Sequence, residues 1–357
     1  MKIIHTSDLH LTGTDNERWE ALLDLCNKVE ELKADLFLIS GDLFDRKGFS
    51  SRLRGEVRRV FRKLDAEVII IPGNHDAGAF EAGLDYGAHI PVSPDKPVSI
   101  GDVDVWGMPY LSFNERETSE YIYSLAKRTK GDRLNLLLFH GELLDSFFSG
   151  GDYGGEEKNR YMPVRLSVFE NCGFDYIVAG HFHTSYQAYK LTNGGYFVYP
   201  GSPVSITVKE VGQRYAGVID TSSGEVYETP LNTLYYEKCV IRLDPSESTP
   251  PEKIVSEKLN KIPLRARIIL VVTGFVNARA FGMTEEQVIR KIEEVSASRC
   301  HLQPEILLRD VGMIYENPLF SKICERVDEI IKNYDRDEID SDRIKELLMR
   351  AFMEAEI

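Results

Sequence analysis

Residues 35–45 read Asp-Leu-Phe-Leu-Ile-Ser-Gly-Asp-Leu-Phe-Asp. The first part, Asp35–Ser40, is a continuous run typical of a buried strand. The run leads into Gly41-Asp42, and a glycine at that point lets the backbone turn sharply beside the acid. The segment therefore predicts a buried strand that carries a functional carboxylate at its end.

The alternation of strand and helix continues on both sides of this segment. Short apolar strands are predicted at Lys2–Thr6 and Glu67–Ile71, and apolar residues recur at helical spacing in Trp19–Leu32 and Leu53–Leu64. This βαβαβ order predicts a sheet with helices on both faces within a layered α/β sandwich. Further strands are expected at Val103–Trp106, Leu134–Phe139, Tyr176–Ala179, Tyr196–Val198 and Gly217–Asp220.

The pattern changes near Leu231. Strands and helices alternate from there in shorter elements, which predicts a small α/β cap, and only helical patterns remain from Asn317 onward. We expect a core at residues 1–231, a cap at 232–316 and a helical, partner-binding segment at 317–357. The two apolar stripes of that segment are separated by the polar stretch Asp335–Arg343. They fit docking in the groove of a partner, and packing within the chain is the alternative.

Five polar clusters follow predicted strands. Ligands of open α/β sheets gather at the carboxyl ends of strands, so the clusters should converge. They offer carboxylates, an amide oxygen and several imidazoles, which favours Mn²⁺, Fe or Zn²⁺ over Mg²⁺ or Ca²⁺. A single Gly-Asp is most often a turn and a single histidine a core residue, but the ordered set indicates a metal centre. The clusters are Asp8-Leu-His10, Gly41-Asp42, Gly73-Asn74-His75-Asp76, His140-Gly141 and Gly180-His181-Phe182-His183.

The ordered clusters resemble the calcineurin-like metallophosphoesterases over most of residues 1–230. The resemblance implies a layered αββα sandwich with two divalent metal ions that share Asp42, and His75 facing the substrate to donate a proton or stabilise charge. It implies one ion held by Asp8, His10, Asp42 and His183, and the other by Asp42, Asn74, His140 and His181. Asp45 and Asp76 closely follow predicted ligands and are candidates for orienting histidines from outside the ligand shell.

Longer segments around the clusters resemble the SbcD nucleases, the prokaryotic branch of the meiotic recombination eleven exonucleases. They are His5–His10, Ile39–Asp45, Phe174–His183 and Tyr199–Ser202. This resemblance implies an exo- and endonuclease that acts on DNA ends in double-strand-break repair. It also implies a homodimer and an SMC-like coiled-coil ATPase partner of the SbcC type, which receives the C-terminal helices.

A basic window at Arg46–Lys63 supports a DNA substrate. It holds eight basic residues against one acid, Glu56. At helical spacing its apolar residues share one face, which packs on the core or on a second copy. The other face either follows DNA phosphates or is an ordinary solvated surface. The candidate DNA contacts are Arg52, Arg54, Arg58, Arg59, Arg62 and Lys63.

Composition limits the function classes. The formal net charge of −14 disfavours a protein that coats nucleic acid through bulk charge. No apolar run is long enough to span a bilayer and the N-terminus lacks signal-peptide features, so we expect a cytoplasmic, nucleoid-associated protein without a membrane partner. Two alternatives remain. One is a small-substrate phosphodiesterase or phosphoprotein phosphatase of the same fold, and the other is a non-catalytic assembly subunit.

Overall fold

The structure is a computed structural model that describes residues 1–80, 83–91, 96–145, 161–170, 172–245, 247–315, 317–333 and 341–355. The chain forms two compact units, Met1–Tyr236 and Glu237–Ile357. In this division the predicted cap and the predicted helical segment lie in the same unit. The finer three-part division stays a prediction.

The strands and helices of the first unit follow each other in a mixed α/β order. The strands are β1 (Lys2–Thr6), β2 (Leu36–Ser40), β3 (Glu67–Ile71), β4 (Val98–Ile100), β5 (Val103–Met108), β6 (Leu134–His140), β7 (Tyr176–Gly180), β8 (Gln187–Lys190), β9 (Tyr196–Tyr199), β10 (Tyr215–Asp220) and β11 (Glu225–Pro230). The helices are α1 (Glu17–Glu31), α2 (Lys47–Phe61), α3 (Glu115–Ala126) and α4 (Leu166–Glu170).

These strands form two sheets, with the orders β11-β10-β1-β2-β3 and β4-β5-β6-β7-β9-β8. In the first sheet β1, β2 and β3 run parallel. In the second sheet β5, β6, β7 and β9 run parallel. Parallel strands end at a common edge, so each sheet delivers several carboxyl ends to one side.

The two sheets pack face to face between two layers of helices. Alternate residues of a strand point to opposite faces, so Leu36 and Leu38 of β2 enter the core between the sheets. Phe37 and Ile39 instead pack on the outer side, with the buried residues of α1 and α2. Helices α3 and α4 cover the outer face of the second sheet in the same way. The predicted layered αββα sandwich is therefore confirmed.

The expectation of helices on both faces of one sheet was wrong. Both α1 and α2 lie on the same face of the first sheet. The order β1-β2-β3 advances in one direction, and right-handed crossovers then place successive helices on one side. The other face of that sheet is covered by the second sheet.

Helix α2 begins at Lys47, earlier than the predicted start at Leu53. Its first turns carry Phe49, which packs against the core, and Ser50, whose hydroxyl donates to the carbonyl of Lys47 at 2.7 Å. The apolar face of the helix lies in the core of its own chain, through Leu53, Val57 and Phe61. The sequence left open whether this face packs on the core or on a second copy, and in the structure it packs on the core.

The second unit contains a three-stranded sheet in the order β12-β13-β14. Its core lies between this sheet and helices α5 and α6. The elements are β12 (Tyr235–Leu243, which begins in the first unit), α5 (Pro251–Asn260), β13 (Ala266–Val276), α6 (Glu285–Ser296), β14 (Glu305–Asp310), α7 (Gly312–Tyr315), α8 (Pro318–Asn333) and α9 (Ser341–Ala355), with a 3-10 turn at Ala278–Phe281. In the described part of the chain, no helix is long and apolar enough to cross a membrane.

The C-terminal helices α8 and α9 pack on the rest of the second unit. Phe320 is buried against Phe275, Val311 and Ile314, and its ring meets that of Phe352 at 5.2 Å. The predicted alternative of packing within the chain is therefore realised for one face of these helices. Most of the predicted polar stretch between them, residues 335–340, lies outside the described residues.

Candidate metal centre

The five predicted clusters meet at one edge of the sandwich. The backbone N–H of Asp8 donates to Gly41 O at 3.1 Å, which ties the turn after β1 to the turn after β2. The hydroxyl of Ser40 donates to Val178 O at 2.9 Å, so the first sheet is also joined to β7 of the second. Backbone and side-chain hydrogen bonds thus hold both sets of strand ends together.

Four non-glycine residues of the clusters have a left-handed backbone. Their φ angles are 55° for Asp8, 49° for His10, 49° for Asp42 and 94° for His181. This region disfavours residues with a side chain, by on the order of 1 kcal/mol or more each. Such conformations gather at functional sites, where the surrounding structure holds them in place. Here they turn polar side chains toward a common point.

Three glycines allow these turns to approach closely. A Cβ atom at Gly73 would lie 2.1 Å from Asp42 Oδ1, and one at Gly41 would lie 2.1 Å from His140 Nδ1. At Gly180 it would lie 2.0 Å from the carbonyl oxygen of Ser40. The spacing between the clusters therefore depends on the absence of side chains at these positions.

One group of ligand atoms is formed by Asp8, His10 and His183, which are buried and lie within 4.8 Å of one another. His183 Nε2 lies 3.6 Å from Asp8 Oδ1 and 3.4 Å from His10 Nε2. These side chains match the first predicted ion, and they offer oxygen and nitrogen donors to a divalent metal.

A second group surrounds His140, whose ligand atom lies within 4.8 Å of those of Asp8 and Asp42. His140 Nδ1 lies 2.8 Å from Ser40 O, and because a carbonyl only accepts, this nitrogen carries the hydrogen. The other nitrogen, Nε2, lies 2.9 Å from Asn74 Oδ1. The ring of His181 is 5.5 Å from that of His140. The ligands predicted for the second ion are therefore neighbours.

Asp42 lies between the two groups. Its Oδ2 atom is 3.8 Å from His10 Nε2 and 3.5 Å from His140 Nε2. This buried oxygen accepts no hydrogen bond from any residue that the structure describes. An unsatisfied buried oxygen costs about 1–3 kcal/mol, which a bound cation would offset. The residues therefore fit a dinuclear metal site with Asp42 in the middle.

His75 stands beside the same atoms. It forms a further possible ligand group with His10 and Asp42, within 4.8 Å. Its backbone N–H donates to Asp42 Oδ1 at 2.9 Å, and its ring Nδ1 donates to Asp45 O at 2.9 Å. The contact at Nδ1 thus fixes the orientation of the ring. Its predicted role toward the substrate stays a prediction.

Asp45 and Asp76 have different surroundings. The Asp45 carboxylate accepts from Arg18 Nη1 at 2.8 Å and lies 4.0 Å from His10 Nδ1. The Asp76 carboxylate accepts from the backbone N–H groups of Phe44 and Gly73, and so holds the turns of the clusters. Its predicted role in orienting a histidine stays a prediction. Burial, with the charge of Asp42, raises the pKa of Asp76 to about 7.

Sequence reasoning missed Glu210. This buried carboxylate lies 3.4 Å from His183 Nδ1, on the side of the ring away from Asp8. It belongs to no recognisable motif and is 27 positions from His183 in the chain. Only the fold brings the two together.

The predicted DNA contacts lie on α2 and the turn that follows it. Arg58 and Arg62 pair with Asp85 at 3.3 and 2.5 Å, and Arg59 pairs with Glu56 at 2.5 Å. Within the described residues, no acidic side chain pairs with the remaining three. Those three are Arg52, whose guanidinium lies over the Phe49 ring, Arg54 and Lys63.

Three histidines of the site have shifted pKa values. Burial alone would lower the pKa of His140, but the charge of Asp42 outweighs it and raises the pKa to about 9. Burial opposes protonation of His183 too, but Asp8 and then Glu210 raise its pKa to about 10. For His10 burial prevails and lowers the pKa to about 4. At neutral pH, His140 and His183 are therefore protonated and His10 is neutral.

Comparison with known proteins gives one family. The model of the calcineurin-like phosphoesterases matches residues 1–185, which contain the five clusters. This range ends just after His183 and covers β1 to β7 of the first unit.

Two curated relatives match about 60% of the chain. One is a subunit of the nuclease SbcCD of Staphylococcus saprophyticus, 27% identical over 247 residues, or 60% of this chain and 63% of the relative. The other is the DNA double-strand break repair protein Mre11 of Methanococcus maripaludis, 24% identical over 240 residues, or 59% of each chain. The chain thus spans less than two thirds of the length of either relative. A solved protein of Thermus thermophilus overlaps 64% of this chain and 98% of its own, at 14% identity and a TM-score of 0.44.

The close packing at Gly73 gives a first test. Gly73→Ala should push the new methyl group into the Asp42 carboxylate, destabilise the protein by about 1–3 kcal/mol and lower its metal content. The matched control is Gly55→Ala in α2, where a Cβ atom would meet nothing within 4 Å. That change should leave metal content intact and stabilise the helix by about 0.5–1 kcal/mol. Thermal unfolding and elemental analysis measure both effects. Wild-type values for Gly73→Ala would contradict this geometry.

Metal uptake should release protons. An imidazole must be neutral to bind a metal, so His140 and His183 must each lose a proton at pH 7. We expect release of about two protons per molecule and an apparent metal affinity that rises with pH through the neutral range. Calorimetric titration with Mn²⁺ in two buffers of different ionisation enthalpy measures the number. Release of no protons, or an affinity that falls as pH rises, would contradict either the protonation of these imidazoles at pH 7 or their role as ligands.

Proposed function

The chain belongs to the calcineurin-like phosphoesterase family, and on that premise we propose that it is a dinuclear-metal-dependent DNA nuclease. Membership of the family makes it a metal-dependent phosphoester hydrolase. The substrate is the proposed part, and we take it to be the phosphodiester backbone at DNA ends during double-strand-break repair. The names of the two relatives, a nuclease and a repair protein, support this choice.

The metal ions proposed for the site are Mn²⁺ first, with Fe or Zn²⁺ as alternatives. Several buried imidazoles beside two carboxylates suit these ions better than Mg²⁺ or Ca²⁺. When bound, a pair of such ions supplies an activated water and stabilises charge on the transferred phosphoryl group. The ligands proposed are the seven predicted from the sequence: Asp8, His10, Asp42, Asn74, His140, His181 and His183.

His75 is the residue proposed to act on the substrate. Its Nδ1 is held by the carbonyl of Asp45, and its ring lies 4.6 Å from that of His10, measured between centroids, in the group that also contains Asp42. From there it can donate a proton to the leaving oxygen or stabilise the charge that develops on it. General acid–base groups contribute typically about 10²- to 10⁴-fold to the rate.

The observation that carries the DNA proposal is the charge on α2. This helix starts just after Asp42 and Asp45, so its N-terminal end lies at the metal centre. Its apolar face is buried in the core, which leaves the basic face outward. Arg52, Arg54 and Lys63 have no acidic partner among the described residues, and in a chain of net charge −14 such a surface favours phosphate contacts.

A coiled-coil ATPase of the SbcC type is the proposed partner. It would receive helices α8 and α9. One relative is named as a subunit of a larger nuclease, which supports an assembly. While Phe320 faces inward, Leu319, Ile330 and Leu347 are 59%, 46% and 54% exposed. These three side chains offer apolar anchors to a partner helix.

A homodimer and a cytoplasmic, nucleoid-associated location complete the proposal. The dimer is proposed from the resemblance to the SbcD nucleases alone. The apolar face of α2 packs in the core of its own chain, so it gives no further support for a contact with a second copy. The location follows from a chromosomal DNA substrate.

The function is tested by comparing two substrates. With Mn²⁺, the wild type should cleave linear duplex DNA and also hydrolyse a small chromogenic phosphodiester. The triple change Arg52→Glu, Arg54→Glu and Lys63→Glu should abolish DNA cleavage and lower the salt dependence of DNA binding, by about one unit of slope for each lost phosphate contact. Hydrolysis of the small diester should stay at the wild-type rate, because the metal ligands are untouched.

His75→Ala is the matched control for the chemistry. It should keep both metals and lose hydrolysis of both substrates by about 10²- to 10⁴-fold. A wild type that hydrolyses nucleotides or phosphopeptides but not DNA would be a different enzyme of this fold. A wild type with both metals and no hydrolysis would be a non-catalytic subunit.

The partner is tested on the exposed face of the C-terminal helices. Changing Leu319, Ile330 and Leu347 to Asp should abolish co-purification with the ATPase and leave thermal stability unchanged. Phe320→Ala should instead destabilise the second unit by about 3–5 kcal/mol, because it opens a cavity in the core. Full ATPase binding by the triple variant would place the partner surface elsewhere.

A further inference from the structure

A buried carboxylate outside the five clusters faces one of the proposed metal ligands. Glu210 is fully buried on the segment between β9 and β10, and its Oε1 atom lies 3.4 Å from His183 Nδ1. The other ring nitrogen, Nε2, lies 3.6 Å from Asp8 Oδ1. The His183 ring therefore spans the distance between Glu210 and the metal centre. The 3.4 Å separation between Glu210 Oε1 and His183 Nδ1 is at the long end for a hydrogen bond.

The position of Glu210 is fixed by its own loop. Oε2 accepts from the backbone N–H of Ile206 at 2.7 Å and from the hydroxyl of Ser202 at 3.1 Å. Oε1 accepts from the backbone N–H and the hydroxyl of Thr207, at 3.3 and 3.2 Å. The carboxylate is thus held in place without help from a metal.

Arg214 joins this loop to the turn that carries His183. It is only 1% exposed, and its guanidinium donates to Thr184 O at 2.7 Å and to Ser202 O at 2.9 Å. It also donates to the carbonyl of His183. A buried guanidinium and a buried carboxylate are costly unless each is fully bonded. The presence of both charged groups beside His183 indicates that they fix the orientation of its ring.

A carboxylate on the outer N–H of a ligating imidazole has a known physical effect. It fixes the tautomer and the ring orientation and makes the other nitrogen a stronger donor, and its loss typically costs about 10- to 100-fold in metal affinity. We propose that Glu210 is a positioning residue, which holds His183 with Nδ1 protonated and Nε2 turned toward Asp8 and His10. Arg214 fixes the backbone on which this contact depends. The inference rests on the dinuclear site proposed above.

The competing explanation is that Glu210 only ties its loop together. Two control variants separate the explanations. Ser205→Ala removes a hydrogen bond that ties the same loop, from the Ser205 hydroxyl to the backbone carbonyl of Glu210 at 2.6 Å, and leaves the partners of the carboxylate in place. Asp104→Asn removes a different buried charge, one that pairs with Arg133 at 2.8 Å and takes no part in the clusters.

The test is metal affinity, measured without substrate. Mn²⁺ is titrated calorimetrically into the metal-free full chain of the wild type, Glu210→Gln and both controls, and melting temperatures are recorded alongside. Glu210→Gln should weaken one of the two Mn²⁺ ions by about 10- to 100-fold and leave the other near the wild-type value. Ser205→Ala and Asp104→Asn should lose thermal stability without losing Mn²⁺ affinity.

Several outcomes would overturn the role of Glu210. One is wild-type affinity for both ions in Glu210→Gln. Another is an equal loss at both ions that Ser205→Ala reproduces, which would mean that Glu210 only ties its loop together. A wild type that binds two ions but leaves DNA intact would refute the nuclease proposal and leave this inference standing.

A measurement on the wild type covers the case in which Glu210→Gln does not fold. In protein loaded with Zn²⁺, the Nδ1–H of His183 should be visible by nitrogen-15 NMR and exchange slowly with water. Coordination through Nδ1, or an Nδ1–H that exchanges as fast as in a solvated imidazole, would refute the proposed orientation.

Discussion

The arrangement of the proposed metal centre depends on one carboxylate oxygen, Oδ2 of Asp42. Asp42 Oδ2 is buried between two imidazole nitrogens and accepts no hydrogen bond from the described residues. Its carboxyl group is charged, because the opposing effect of burial on its pKa is outweighed by His140 and then His10. A negative oxygen left in this state in a packed interior is costly unless cations take the place of water. The residues around this oxygen therefore fit a site for metal ions.

Bringing the proposed ligands to that oxygen imposes strain on the turns around it. Asp8, His10, Asp42 and His181 adopt left-handed backbone angles, and Gly73 leaves no room for a methyl group. The two sheets offset this cost with a continuous apolar core between them and with hydrogen bonds across their common edge. Metal ions that bind only the folded chain should raise its free energy of unfolding.

The sequence predicted the parts of the fold that carry strong local patterns. The buried strands and the clusters behind them were recognisable because apolar runs end in Gly, Asp and His. The strands that it did not predict, β4, β8 and β11, are edge strands of the two sheets. Alternation of half-buried and exposed residues in β8 and β11 gives no apolar run, and β4 has only three residues. Glu210 was missed since its contact with His183 depends on tertiary structure alone.

The central claim is that Asp42 joins two metal ions, and crystals grown with Mn²⁺ test it most directly. Anomalous scattering measured at the manganese edge should show two peaks about 3.5–4 Å apart, the spacing of two-metal phosphoesterase sites. One peak should lie beside Asp8, His10 and His183, the other beside Asn74, His140 and His181, and both should contact Asp42. A single peak, or two peaks that do not share Asp42, would contradict the account.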